Sequence, residues 1–274
     1  MTAHWSRLDL EQYRWVQANS YRESVTMKLS RLLPKRFRDY RLINPRKLYK
    51  VWEEEHLKRL IAHYDIDCIF DVGAHHGKYA QMLREKVGFE GWIISFEPDP
   101  QSAQIVRAAA EHDERWIVEE VALSSFDGEQ TFNVMVGSQF SSLSAPRSGE
   151  VQSLQKLNSI KQAIQVRTET LMTAYERIQG ARQFKRPYLK LDTQGYDLEI
   201  VTHAESALKH FVGMQSELSI RRLYDTSVDY RDALTAYEQL GFVLSAFVPN
   251  NRGHFPEMIE TDCILINRNF RKDL

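Results

Sequence analysis

Residues 71–79 read Asp71-Val72-Gly73-Ala74-His75-His76-Gly77-Lys78-Tyr79 (DVGAHHGKY), and Cys68, Ile69 and Phe70 run into them as the end of a short apolar strand. A strand that stops in a glycine turn and feeds a helix aims backbone N–H groups and the positive helix end at whatever lies over the turn. The next apolar run, Trp92–Phe96, ends at Glu97, which is placed to accept both hydroxyls of a ribose. Together these features point to a nucleotide-type cofactor on a parallel sheet.

Outward from that stretch, strand-like runs at Cys68–Val72, Trp92–Phe96, 116–122, Pro187–Leu191, 212–218 and 242–247 alternate with amphipathic helical stretches. Such alternation predicts a parallel sheet covered on both faces. Two features depart from a plain doubly wound pattern. After the turn Asp127-Gly128, residues 130–136 (QTFNVMV) alternate polar and apolar side chains, which predicts an added hairpin strand. Residues 262–267 (DCILIN) follow the preceding strand too closely for a helical crossover, so that pair is expected to be antiparallel.

The 274 residues suffice for one large α/β domain plus an appendage, and 43% hydrophobic content supports an ordinary core. We divide the chain into a helical N-terminal extension, 1–64, and a main domain, 65–274. A formal net charge of -1 gives no global pull toward nucleic acid, and no nucleic-acid partner is expected. The two cysteines, Cys68 and Cys263, lie in apolar runs and read as buried thiols; no metal-ligand spacing occurs. Residues 1–17 mix charges, aromatics and polar groups, unlike a signal peptide or a membrane span, so a cytoplasmic enzyme is the default expectation. Between Arg22 and Lys50, ten basic residues face only Glu23 and Asp39, with Leu29, Leu32, Leu33 and Phe37 at helical spacing. That segment suits an anionic surface at the inner membrane face or an anionic substrate; a solvated helical face is the plainer reading. The aromatic N-terminal residues Trp5, Tyr13, Trp15 and Tyr21 leave the oligomeric state open.

Several separated stretches resemble the FkbM family of S-adenosylmethionine-dependent methyltransferases in the order that family shows. They are DVGAHHGKY at 71–79, SFEPDP at 95–100, VALSSFDGEQTF at 121–132, Ser141-Ser142-Leu143, YLKLDTQGYDLEIV at 188–201, SEL at 216–218 and DCILIN. The resemblance covers about 66–270 and implies a class I methyltransferase (Rossmann-like) fold: a mostly parallel sheet with an antiparallel C-terminal strand. By resemblance the cofactor is S-adenosyl-L-methionine. Asp71, Gly73, Ala74 and Gly77 would line its methionine and ribose side, with His75, Tyr79 and Pro98 in the same stretches. Glu97 would hold the ribose, and Val121 with Ala122 would border the adenine. The family's usual residues at 75, 194 and 197 are asparagine, glutamate and glutamate, whereas this chain carries His75, Gln194 and Asp197.

Methyl transfer to a hydroxyl needs the acceptor oxygen held in line and its proton removed. Asp192, at the carboxyl end of the 188–191 run, is the first candidate base, and Glu217 the second; the two carboxyls sharing a site would raise one of their pKa values. The plain alternatives are a helix cap for Asp192 and an ion pair with Lys190 or Arg221 for Glu217. Two carboxylates are too few ligands to imply a hard cation, so no metal is expected. His75 and His76 lie in the turn, and Ser141, Ser142 and His254 are placed toward a hydroxylated acceptor. The function expected is O-methylation of a sugar, glycan or related metabolite. A non-catalytic binding module is the alternative, and a nicotinamide oxidoreductase is opposed by the missing middle glycine of G-x-G-x-x-G.

Overall fold

The computed structural model describes residues 43–44, 47–147, 151, 154–249 and 256–271. The basic positions from Arg22 to Arg46, and His254, lie outside the described residues. Contacts group Arg46–Leu274 as one compact unit.

Helix α1 (Leu48–Tyr64) precedes β1 (Cys68–Val72); α2 (Lys78–Met82), continued by a wider turn at Leu83–Val87, leads to β2 (Trp92–Phe96), α3 (Pro100–Ala110) and β3 (Trp116–Glu119). Then come β4 (Ala122–Ser124), β5 (Gly128–Met135), a 3-10 turn at Ser138–Phe140, β6 (Ile160–Thr170), α4 (Leu171–Arg182) and β7 (Pro187–Leu191). The chain continues through α5 (Asp197–Thr202), α6 (Glu205–Leu208), β8 (Gly213–Ser219), α7 (Tyr230–Gln239), β9 (Phe242–Pro249) and β10 (Glu260–Asn267). Among these described elements no helix is long and apolar enough to cross a membrane.

Seven strands form one sheet in the order β3-β2-β1-β7-β8-β10-β9. β10 is antiparallel to both its neighbours, and the other described pairs are parallel. This is the mostly parallel sheet with one antiparallel C-terminal strand that the sequence predicts. The central strands β1 and β7 are buried along their whole length, as strands covered on both faces must be. On one face Phe70 packs between Phe96, Phe184 and Phe211, with ring centroids 5.5, 5.7 and 5.3 Å away. On the other, Leu57 and Leu60 of α1 join Ile69, Ala80, Leu83 and Val106, so α1 packs with the sheet. Local signals start the helices: Asp99 accepts from the N–H groups of Gln101 and Ser102 with Pro100 in the first turn, and Thr170 and Asp229 cap α4 and α7 in the same way.

The structure corrects two local expectations. Residues 116–122 do not make one strand: the chain leaves the main sheet after Glu119 and re-enters extended structure at Ala122, in a second, three-stranded sheet of order β4-β6-β5. The turn at Asp127-Gly128 does lead into a strand, but not into a hairpin. β6 inserts between β4 and β5, parallel to the first and antiparallel to the second. Exposed Lys161, Gln162 and Arg167 dilute the apolar signal of β6, which is why its pattern is weak in the sequence.

Candidate active site

Strand order reverses between β1 and β7, and the crevice beyond their carboxyl ends is where open α/β sheets take ligands. The turn after β1 lies there, packed directly on the end of β7. A Cβ on Gly73 would stand 2.0 Å from the Asp192 carbonyl oxygen, and the residue has φ +79°, so only glycine fits. At Gly77, φ is +71° and a Cβ would meet the Trp116 ring at 3.0 Å. Both glycines are therefore required by the protein's own packing. The turn's N–H groups are also largely occupied: those of Gly73 and Ala74 donate to the Phe96 carbonyl, that of Gly77 to the Ala74 carbonyl, and that of His75 to Glu97. The expectation that they point at a ligand is corrected for these four groups; what the turn supplies is shape and position.

His75 has φ 49°, in the left-handed region that asparagine and histidine tolerate better than most residues. Its ring stacks on His76 with centroids 3.7 Å apart, and its Nε2 lies 2.8 Å from the Ser138 hydroxyl. Burial, then the neighbouring His76 and Lys78, pushes the His75 imidazole down to about 3. A ring so weakly basic is a poor general base.

Glu97 is 5% exposed. One carboxyl oxygen accepts the His75 N–H at 2.7 Å and the other the Asp99 N–H at 3.0 Å. Burial pushes its pKa up to about 8 despite these two bonds. A carboxylate has about four acceptor positions, so two remain for hydroxyl donors. A vicinal diol such as that of ribose supplies two. Pro98, beside Glu97, is buried. Asp71 is also buried, accepts the Ser95 hydroxyl at 3.0 Å, and is pushed by burial to about 6. The Tyr79 hydroxyl donates to the Gln215 side-chain oxygen at 3.1 Å. Val121 is buried in the main core, and Ala122 opens the small sheet.

On the acceptor side the structure brings both candidate carboxyls to one amide. The Gln194 Nε2 donates to Asp192 Oδ1 at 2.8 Å and to Glu217 Oε2 at 3.3 Å. Asp192 is 44% exposed and its second oxygen lies 3.5 Å from Lys190 Nζ. It is not a helix cap: α5 begins five residues later with Tyr196 at its cap position. Lys190 pairs with Asp192 and, at 3.4 Å, with Asp262, while donating to the Leu191 carbonyl. Burial is the largest single influence and opposes its charge, but the surrounding carboxyls of Asp192, Asp262, Asp197 and Glu217 together outweigh it and the net direction is upward. Burial first, then Glu260 and Asp192, pushes Glu217 well above the usual carboxyl range.

Ser141 and Ser142 hold the loop after β5 in place. The Ser141 hydroxyl accepts the Met135 N–H. Ser142 is 1% exposed; its one hydroxyl proton is shared between the Thr193 and Gln194 carbonyls, and its oxygen accepts from the Ser144 N–H. Its hydroxyl is thus committed to joining this loop to the 193–194 turn. Sequence reasoning missed two residues that build the site. Asp197 is a buried bracket, taking the Thr193 N–H and hydroxyl on one oxygen and the Ser216 hydroxyl and Glu217 N–H on the other. The Tyr224 hydroxyl lies 2.8 Å from Gln194 Oε1 and 3.0 Å from the Phe140 carbonyl, its one proton shared between them. The departures at 194 and 197 were the only sequence signals near these contacts. Among the described residues no group of three or more His, Cys, Asp or Glu side chains is arranged to hold a metal ion.

A family model described as Methyltransferase FkbM domain matches residues 71–244. None of the curated proteins matches the chain in sequence. Among solved structures, the chain is similar to a methyltransferase FkbM from Methylobacillus flagellatus, at 14% identity and TM-score 0.42, over 74% of this chain and 44% of that one. It is similar to an O-methyltransferase from Bacillus cereus in complex with SAH, at 12% identity and TM-score 0.43, over 90% of each chain. It is also similar to Aeropyrum pernix fibrillarin with natively bound S-adenosyl-L-methionine, at 11% identity and TM-score 0.43, over 78% of this chain and 74% of that one. Likeness of that degree fixes neither substrate nor chemistry.

Proposed function

Because the chain belongs to the FkbM family of methyltransferases, we propose that it uses S-adenosyl-L-methionine to methylate a hydroxyl of a sugar, glycan or related metabolite. The observation that carries this reading is Glu97: a buried carboxyl beside the 73–77 turn with two acceptor positions left over for a diol. Glu97 would hold the ribose hydroxyls, and Asp71, Gly73, Ala74, His75, Gly77, Tyr79, Pro98, Val121 and Ala122 form the surrounding cofactor side. When bound, the cofactor supplies an electrophilic methyl group on a sulfonium.

Sugar hydroxyls are weak acids, so the chain's contribution is to hold the acceptor oxygen and remove its proton. Asp192 is the group proposed for that proton, because it stands at the switch point, 44% exposed, against the cofactor turn. Glu217 is its partner carboxyl. The basic N-terminal extension, 1–64, is proposed to meet an anionic surface or acceptor from a cytoplasmic position; charge reversal at Arg36, Arg38 and Arg41 should abolish co-sedimentation with anionic liposomes.

The test is transfer of tritiated methyl from S-adenosylmethionine to a panel of mono- and oligosaccharides. Label in a hydroxyl, lost in Asp192→Asn, supports the proposal. A wild-type protein that binds S-adenosylhomocysteine but labels no hydroxylated acceptor overturns the O-methyl assignment and favours a binding module.

A further inference from the structure

Gln194 occupies an unusual position for an uncharged side chain. Its backbone is left-handed, with φ 56°. Its amide nitrogen faces Asp192 from the end of β7 and Glu217 from β8, and its amide oxygen faces the Tyr224 hydroxyl. An amide nitrogen offers two donors from one uncharged atom, and here two carboxyl oxygens meet it. The reverse orientation would set the amide oxygen against both of them. The two carboxyl oxygens set the observed orientation and Tyr224 supports it: the phenol is 2% exposed, burial drives its pKa upward so that it keeps its proton, and that proton is shared between Gln194 Oε1 and the Phe140 carbonyl. Gly195 packs closely against Tyr224: a Cβ there would stand 2.8 Å from the Tyr224 Cβ and 2.9 Å from its ring.

We propose that Gln194, clamped by Tyr224, is a positioning residue of the methyl-transfer site, holding the Asp192 and Glu217 carboxyls together with Asp192 outward toward the acceptor. The proposal rests on the function assigned above and deepens it. Without the amide, the two carboxyls would face each other across the end of the sheet with no donor between them, and Glu217, already pushed upward, would hold its proton more firmly or one group would swing away. Asp197 anchors the backbone of both neighbours, Thr193 and Glu217, so the pair is fixed from the main chain as well as from the side chains. Tyr224 also reaches the Phe140 carbonyl, and Ser138 in the same short turn reaches His75. The 138–140 turn therefore touches His75 directly and reaches the carboxyl pair through Tyr224 and Gln194.

The experiment is a carboxyl 13C NMR titration of the full-length protein labelled in Asp and Glu, with the Glu217 and Asp192 signals assigned from Glu217→Gln and Asp192→Asn. The titratable and charged groups facing Glu217 include Glu260, Asp192, Asp262, Asp197 and Tyr224, together with Lys190, which also pairs with Asp192 and Asp262, so the two signals are followed as one coupled system. Gln194→Asn keeps an amide and tolerates the left-handed backbone but is one methylene too short to span the pair. Loss of a donor to the charged form should move the Glu217 midpoint upward by about one pH unit. Tyr224→Phe, which frees the amide to turn over, should move it in the same direction, and Gln194→Glu further still. A Glu217 midpoint in Gln194→Asn and Tyr224→Phe that stays within about 0.2 pH units of wild type overturns the proposal. No cofactor enters this titration, so the wild type's calorimetry with S-adenosylhomocysteine reports separately on the cofactor reading.

Discussion

Cofactor affinity should depend on the ionisation of Glu97, and the structure gives the size of the effect. The carboxyl is 5% exposed, bonded to only two N–H groups, and pushed by burial to about 8. Hydroxyl donors favour its charged form, so the cofactor should bind the ionised protein and release a proton in doing so. If only that form binds, the ionised fraction rises from about 1% near pH 6 to about 90% near pH 9, and apparent affinity for S-adenosylhomocysteine should rise roughly ninetyfold over that range. Isothermal titration calorimetry in two buffers of different ionisation enthalpy measures both the affinity and the proton release. Asp71, pushed to about 6, titrates at the lower edge of the same window. Glu97→Gln separates the two: it should bind at least tenfold more weakly near pH 8, from loss of charge-assisted bonds worth about 1.5–3 kcal/mol each, and should lose the slope above pH 7. Wild-type affinity that is flat from pH 6 to 9, with equal heats in both buffers, would refute the reasoning.

The same carboxyl bears on the stability of the free protein. Its folded pKa is raised, so its contribution is fully present below the usual carboxyl range and is lost progressively as pH rises to about 8; the melting temperature should fall between about pH 5 and 8 and level off above, and fall less in Glu97→Gln. Lys190→Met leaves Asp192 and Asp262 without their shared cation in a site where the lysine is 5% exposed, and urea unfolding should register a loss of about 3–5 kcal/mol. Gly73→Ala and Gly88→Ala have nearly equal φ, +79° and +78°, but only the first would drive a Cβ into backbone. Gly88→Ala should cost about 1–2 kcal/mol and Gly73→Ala more than about 4, as measured by thermal unfolding; similar losses in both would mean that the contact with Asp192 is relieved by other means.

What the sequence made legible follows from which signals are local. The turn at 71–79 could be read because its strand, its two glycines and the acid at 97 all lie within one βαβ unit. The antiparallel β10 could be read because too few residues precede it for a crossover. β6 was missed because its exposed charged side chains interrupt the apolar alternation and its partners lie 25 to 46 positions upstream. At the site, Asp192 and Glu217 stood out as acids at strand ends, but nothing in the order of residues tied them to Tyr224, which meets Gln194 only after the chain has crossed from β7 to beyond β8. The glycines were visible, while the reason for Gly73 was not: the surface that excludes a side chain there is the peptide of residue 192, more than a hundred positions away.

That contact has a mechanical consequence. The bend after β1 and the terminus of β7 touch through main-chain atoms, continued by the bond from the Asp192 N–H to the Val72 carbonyl. Neither can slide without breaking the central hydrogen-bond ladder, so their spacing is set once, when the chain folds. On the function proposed here, donor and proton-accepting sides travel as a single stiff body, and any opening needed to admit or release an acceptor must come from segments other than these two.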